Sequence, residues 1–104
     1  MLRKSRFAVI RHVVFFKFKP DTNEADKSEL LAMIQALPGK IAEVQSLEVG
    51  FDVVRSPRSF DLGLVSTFAD LAALGIYARH PDHQPVIELA KVLCEQVVAV
   101  DFEA

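Results

Sequence analysis

The chain has 104 residues, 51% of them hydrophobic, with 12 basic and 14 acidic side chains and a formal charge of −2. That size and balance predict one folded domain over residues 1–104 and exclude a disordered chain. The basic residues are scattered, which excludes the basic stripe of a nucleic-acid binder. A lone cysteine, Cys94, excludes an internal disulfide and a C-x-x-C pair.

The N-terminal stretch "MLRKSRFAVIRH" has a basic start and a short apolar run. The run spans only Phe7 to Ile10 before Arg11 and falls short of the roughly 7–15 apolar residues of a secretory signal. No apolar stretch approaches the ~20 residues of a membrane span. The expectation is a soluble, cytoplasmic protein without a membrane partner.

Residues 7–19, "FAVIRHVVFFKFK", are rich in β-branched and aromatic types and predict a strand, ended by Pro20. Residues 22–37 place Leu30, Ile34 and Leu37 at helical spacing with Leu31 beside them. Asp21 and Glu24 have the spacing of a capping box, and Pro38-Gly39 is the expected stop. Residues 44–54 alternate: Leu47, Val49, Phe51 and Val53 face one way, Glu48 and Asp52 the other, as in a half-buried strand. "RSPRS" is the connecting loop. Residues 60–68 alternate again through Phe60, Leu62, Leu64 and Phe68. "DLAALGIYA" predicts a short helix. After Pro81, residues 85–95 place Val86, Leu89, Ala90 and Leu93 on one helical face. Cys94 falls in that helix-like stretch as a packing residue. Val97 to Phe102 form the last strand.

The order is βαββαβ with the second helix broken in two. This predicts an α+β, ferredoxin-like fold with an antiparallel sheet and helices on one face. The first strand has apolar residues at its even positions (Ala8, Ile10, Val14, Phe16, Phe18) and also at Phe7, Val9, Val13 and Phe15. Helices cover one face only, and the other should be wet unless something packs on it. The expectation is a homodimer with two sheets face to face. Leaving Val13 and Phe15 exposed would forgo roughly 1.5–3 kcal/mol each.

The stretch "IYARHPDHQPV", residues 76–86, holds the only tyrosine and two of the three histidines. Tyr77 and His83 would point apart on one continuous helix. Pro81 breaks it, favouring an extended residue before it and a fresh helix start after it. A turn there can fold His83 back toward Tyr77, and His80 can brace the turn. His12, on the more apolar face of the first strand, needs a hydrogen-bond partner or a polar cavity. His80 and His83, with Asp82 between them, lack a further Cys or His nearby in sequence and predict no metal site.

"IRHVVFFKFK", "STFADLAALGIYARHPDH" and "VVAVDFEA" together resemble the stress-responsive α/β-barrel (Dabb) domain family over nearly the whole chain. The marks are the H-P-x-H turn, a histidine early in the first strand and a closing V-D-F. The resemblance implies a protomer that dimerises through its sheets into an α+β barrel. It also implies similarity to olivetolic acid cyclase, a cofactor-free ring-closing enzyme. By that similarity His83 would be the base, Tyr77 the hydrogen-bond donor to the substrate carbonyl, and His12 a cavity-lining orienter or second donor. The chain departs from the cyclase at two cavity positions, where Leu62 and Ile34 stand in place of a histidine and a tyrosine. The cavity should therefore be more apolar.

Three readings stay open. One is a cofactor-free cyclase, isomerase or lyase acting on a small carbonyl substrate. Another is a non-enzymatic dimer that binds a small apolar ligand or serves a stress role. The third is a cofactor-free monooxygenase of the dimeric α+β barrel type, disfavoured by one tyrosine and no tryptophan. An RNA-recognition domain shares the element order, but Leu62 and Leu64 stand where stacking aromatics would be needed.

Overall fold

The computed structural model describes residues 8–104; Phe7 and the basic start lie outside them. The elements are β1 (Ile10–Phe18), α1 (Glu24–Gln35), α2 (Leu37–Lys40), β2 (Ser46–Phe51), β3 (Leu62–Phe68), α3 (Leu71–Arg79), α4 (Gln84–Leu93) and β4 (Cys94–Glu103). The strands form one antiparallel sheet in the order β2-β3-β1-β4. The fold is ferredoxin-like α+β.

The even residues of β1 face the helices: Ile10, Val14, Phe16 and Phe18 are buried. They join Leu30 and Ile34 of α1, Leu62, Leu64 and Phe68 of β3, and Val86, Ala90 and Leu93 of α4 in one core. Burial of each large side chain stabilises by roughly 1.5–3 kcal/mol. The odd residues face the other way. Val13 lies opposite Val65 and Val100, Phe15 opposite Val98, and Arg11 opposite Phe102. On this outer face Phe15, Val65, Val100 and Phe102 are each 40–55% exposed.

Several local expectations are corrected. Asn23, not Asp21, caps α1: its Oδ1 accepts the Asp26 N–H at 2.8 Å. Asn at this position satisfies an amide that the helix itself cannot. Pro38-Gly39 does not stop a helix. It lies inside the one-turn α2, where a proline in the first turn loses no hydrogen bond. β2 ends at Phe51, so Val53 is 91% exposed in the following loop and belongs to no strand face. Cys94 opens β4 and is not helical; it is buried, and burial pushes its thiol up to about 11.

That loop is tied to the end of β1 by charge. Arg55 sits at φ 54°, a left-handed conformation uncommon for a side chain with a Cβ. Its N–H and guanidinium donate to Asp52 at 2.6 and 3.0 Å, and the guanidinium donates to Asp61 at 2.7 Å. Asp61 also accepts the Phe18 N–H at 2.8 Å, beside the register shift between β1 and β4. The loop thereby pins the C-terminal end of the strand whose N-terminal half carries His12. Among the described residues no helix is long and apolar enough to cross a membrane.

Candidate functional site

The break between α3 and α4 is local chemistry. Asp70 starts α3 by accepting the Ala73 N–H at 2.8 Å. His80 ends it with an extended backbone, φ −63° and ψ 137°, the conformation a following proline favours. The His83 N–H then donates to the His80 carbonyl at 3.0 Å, closing a turn. The His80 Nδ1 accepts the Asp82 N–H at 3.0 Å and braces it. The Gln84 amide spans the break, donating to the carbonyls of Ala78 and His80 at 3.2 Å each.

This turn stacks the His83 ring on Tyr77, with centroids 4.2 Å apart and planes at 30°. Tyr77 is 1% exposed and also packs on Phe68 at 4.8 Å. His12 meets Tyr77 edge-on at 6.0 Å. The three rings line one cavity of about 310 Å³ in the same protomer. That volume is at the small end of ligand sites. Val14 and Phe16 of β1, Leu64 of β3, Ile34 of α1, Val97 and Ala99 of β4, and one face of α4 make its other walls. Of the two departures from the cyclase, Ile34 lines the cavity. Leu62 does not: it is buried two residues along β3, and Leu64 holds the lining position.

One residue carries chemistry that sequence reasoning missed. Asp101 stands opposite His12 across the β1–β4 ladder, and its Oδ1 lies 2.5 Å from the His12 Nδ1. A carboxylate accepts, so the imidazole donates from Nδ1, and its neutral form keeps the lone pair on Nε2. The closing V-D-F was legible as a motif, but the pairing of its aspartate with His12 depends on strand register.

The His83 Nδ1 faces the Ala78 carbonyl at 3.4 Å. A carbonyl only accepts, so here too Nε2 holds the lone pair. Burial lowers the basicity of His83 below its ordinary value, and the neighbouring His12 and His80 act in the same direction. The imidazole is therefore neutral at pH 7 and free to take a proton. Burial pushes the Tyr77 phenol up to about 12, so it remains a donor. Among the described residues no group accepts from that hydroxyl, and no side-chain N or O is buried without a partner. The hydroxyl therefore opens on the cavity. Among the described residues no three His, Cys, Asp or Glu side chains are grouped to hold a metal ion.

Residues 10–104 match the family model of the stress responsive A/B barrel domain, Dabb. The chain belongs to this family. A stress-response A/B barrel domain-containing protein of Arabidopsis thaliana is 32% identical over 100 residues, covering 92% of this chain and 37% of its own length. The Dabb chain thus spans little more than a third of that relative. A dimeric ferredoxin-like protein of unknown function from Bacteroides fragilis is 29% identical, with TM-score 0.79, over 92% of this chain and 96% of its own. The hydroxynitrile lyase of Passiflora edulis shares the fold at 19% identity, with TM-score 0.83, over 92% of this chain and 93% of its own.

Proposed function

We propose that this Dabb domain acts as a homodimer and, without a cofactor, moves a proton beside the carbonyl of a small, mostly apolar substrate. The observation that carries this reading is the stacked His83–Tyr77 pair inside an apolar cavity. The His83 Nε2 takes a proton from the carbon next to the carbonyl. The C–H electron pair moves into the C–C bond, and the carbonyl pair moves onto oxygen. The Tyr77 hydroxyl donates a hydrogen bond to that oxygen as its charge grows. Imidazolium then delivers the proton to a different, conjugated carbon of the enolate, giving an isomer, or to the alkoxide formed when the enolate carbon attacks a second carbonyl, closing a ring. Run backwards, the second course breaks a C–C bond, as a lyase does. The shared fold of the Passiflora lyase supports such chemistry by analogy of scaffold alone. His12, held in one tautomer by Asp101, orients the substrate from the strand side.

A panel of β-dicarbonyl and β-hydroxycarbonyl compounds, followed by proton exchange and product formation, tests the assignment. His83→Ala should lower turnover by about 10²–10⁴-fold. Tyr77→Phe should lower it with little loss of stability, since the hydroxyl has no partner among the described residues. Full turnover in His83→Ala would remove the base from the scheme. The apolar walls at Leu64 and Ile34 favour a second reading, a ligand-binding dimer without turnover. Native mass spectrometry of freshly purified protein separates the two readings. A retained small molecule that no panel reaction converts would favour the binder.

A further inference from the structure

The cavity wall contributed by α4 has an order. His83, Val86, Ile87, Ala90 and Lys91 all line it, at the spacings i, i+3, i+4, i+7 and i+8 that place residues on one helix face. The imidazole stands at one end of this strip, three apolar side chains follow, and an ammonium stands at the other. Eight residues separate the ends, roughly 12 Å along the helix axis, and the lysine stem leans back toward His83. Lys91 is 70% exposed, so it stands at the mouth; its neighbour Glu88 is 3.9 Å away and 72% exposed. Such an exposed pair holds its charges weakly and leaves the ammonium able to meet another anion. Among the described residues Lys91 is the only Lys, Arg, Asp or Glu side chain lining the cavity.

We propose that the substrate is a carbonyl compound with a carboxylate at the far end of an apolar chain, the carboxylate held at the mouth by Lys91. The chain lies along Val86, Ile87 and Ala90, and the carbonyl reaches His83 and Tyr77. A cavity of about 310 Å³, with roughly 12 Å between the two ends of the strip, suits a ligand on the order of a medium-chain acid. This assignment rests on the cavity being a ligand site, and it adds the charge and the length of the ligand.

Binding without turnover tests it. Octanoate, 1-octanol and octylamine share a tail and differ in the head. Tyr77 is the only tyrosine of a chain without tryptophan, so near-ultraviolet absorption and circular dichroism on the long-wavelength side of the phenylalanine bands report this cavity alone. Octanoate should bind about fivefold more tightly than octanol at low salt, and octylamine most weakly. Lys91→Gln should abolish the octanoate preference while leaving octanol affinity unchanged. Glu88→Gln, which removes the competing carboxylate, should widen it. The preference should shrink as salt screens the exposed ammonium. Equal binding of the three probes, or a preference that survives Lys91→Gln, overturns the carboxylate assignment and leaves the cavity as a ligand site. If none of the three perturbs Tyr77, the ligand site and the assignment fall together.

Discussion

At the scale of single residues, the site works through opposite effects of one cause. Burial destabilises charge, so it lowers the basicity of His83 and raises the Tyr77 phenol to about 12. The imidazole is kept ready to accept, and the phenol is kept ready to donate. The pH dependence follows with definite signs. The folded state binds fewer protons than the unfolded state at His83, so that contribution to stability is complete above pH 6.5 and fades as pH falls through the folded value. For Tyr77 the folded value is the higher one. Its contribution is complete below pH 10 and fades as pH rises toward 12. Absorbance titration should therefore show no tyrosinate in the folded protein near pH 10, with the phenol ionising close to 12 or together with unfolding. The kcat/KM of any substrate found should gain its basic form below pH 6.5. Tyrosinate forming near pH 10 without unfolding would mean that the ring is solvated and the cavity differs from the one described.

At the scale of elements, the turn at Pro81 sets the site, and its removal should affect position more than stability. Proline limits the unfolded chain, so Pro81→Ala should cost about 0.4–1 kcal/mol, which lowers Tm by a few degrees in a domain of this size. It also releases His80 from its extended backbone, letting α3 run on and carry His83 away from Tyr77. The expected outcome is a small fall in Tm with a large loss of the Tyr77 near-ultraviolet dichroism. An unchanged Tyr77 signal would show that the Gln84 bridges hold the turn without the proline. How far the sequence revealed these elements depended on the range of the interaction. The two faces of β1, the broken helix and the return of His83 to Tyr77 follow from local spacing and backbone chemistry, and each was legible. The Asn23 cap was hidden because Asp21 offered an equally good local signal. The end of β2 was hidden because Val53 kept the alternation that hydrogen bonding abandoned. The Asp101–His12 pair was hidden because no local rule tells which residue of β4 stands opposite His12.

At the scale of the whole molecule, the same alternation that sends His12 into the cavity sends Val13 and Phe15 outward. Val65 from β3 and Val98, Val100 and Phe102 from β4 join them. This makes an apolar face on the side of the sheet that no helix covers, and single-layer antiparallel sheets keep such a face wet unless another layer packs on it. In the proposed homodimer a second copy supplies that layer and places the apolar strips of two sheets in contact, the isologous arrangement usual for homodimers. Light scattering should then give twice the 11.6 kDa chain mass at micromolar concentration. Phe15→Lys combined with Val100→Lys places two ammonium groups at the centre of the strip and should give a monomer. The inner core contains neither residue, so that monomer should keep its helical signal and its Tyr77 dichroism, with lower stability because the outer face is again open to water. Doubly charged protein that still runs as a dimer would place the contact elsewhere, on an exposed edge of β2 or β4. Wild-type protein that runs as a monomer would leave Val13 and Phe15 without a reason to be apolar, and the paired-sheet assembly would have to be abandoned.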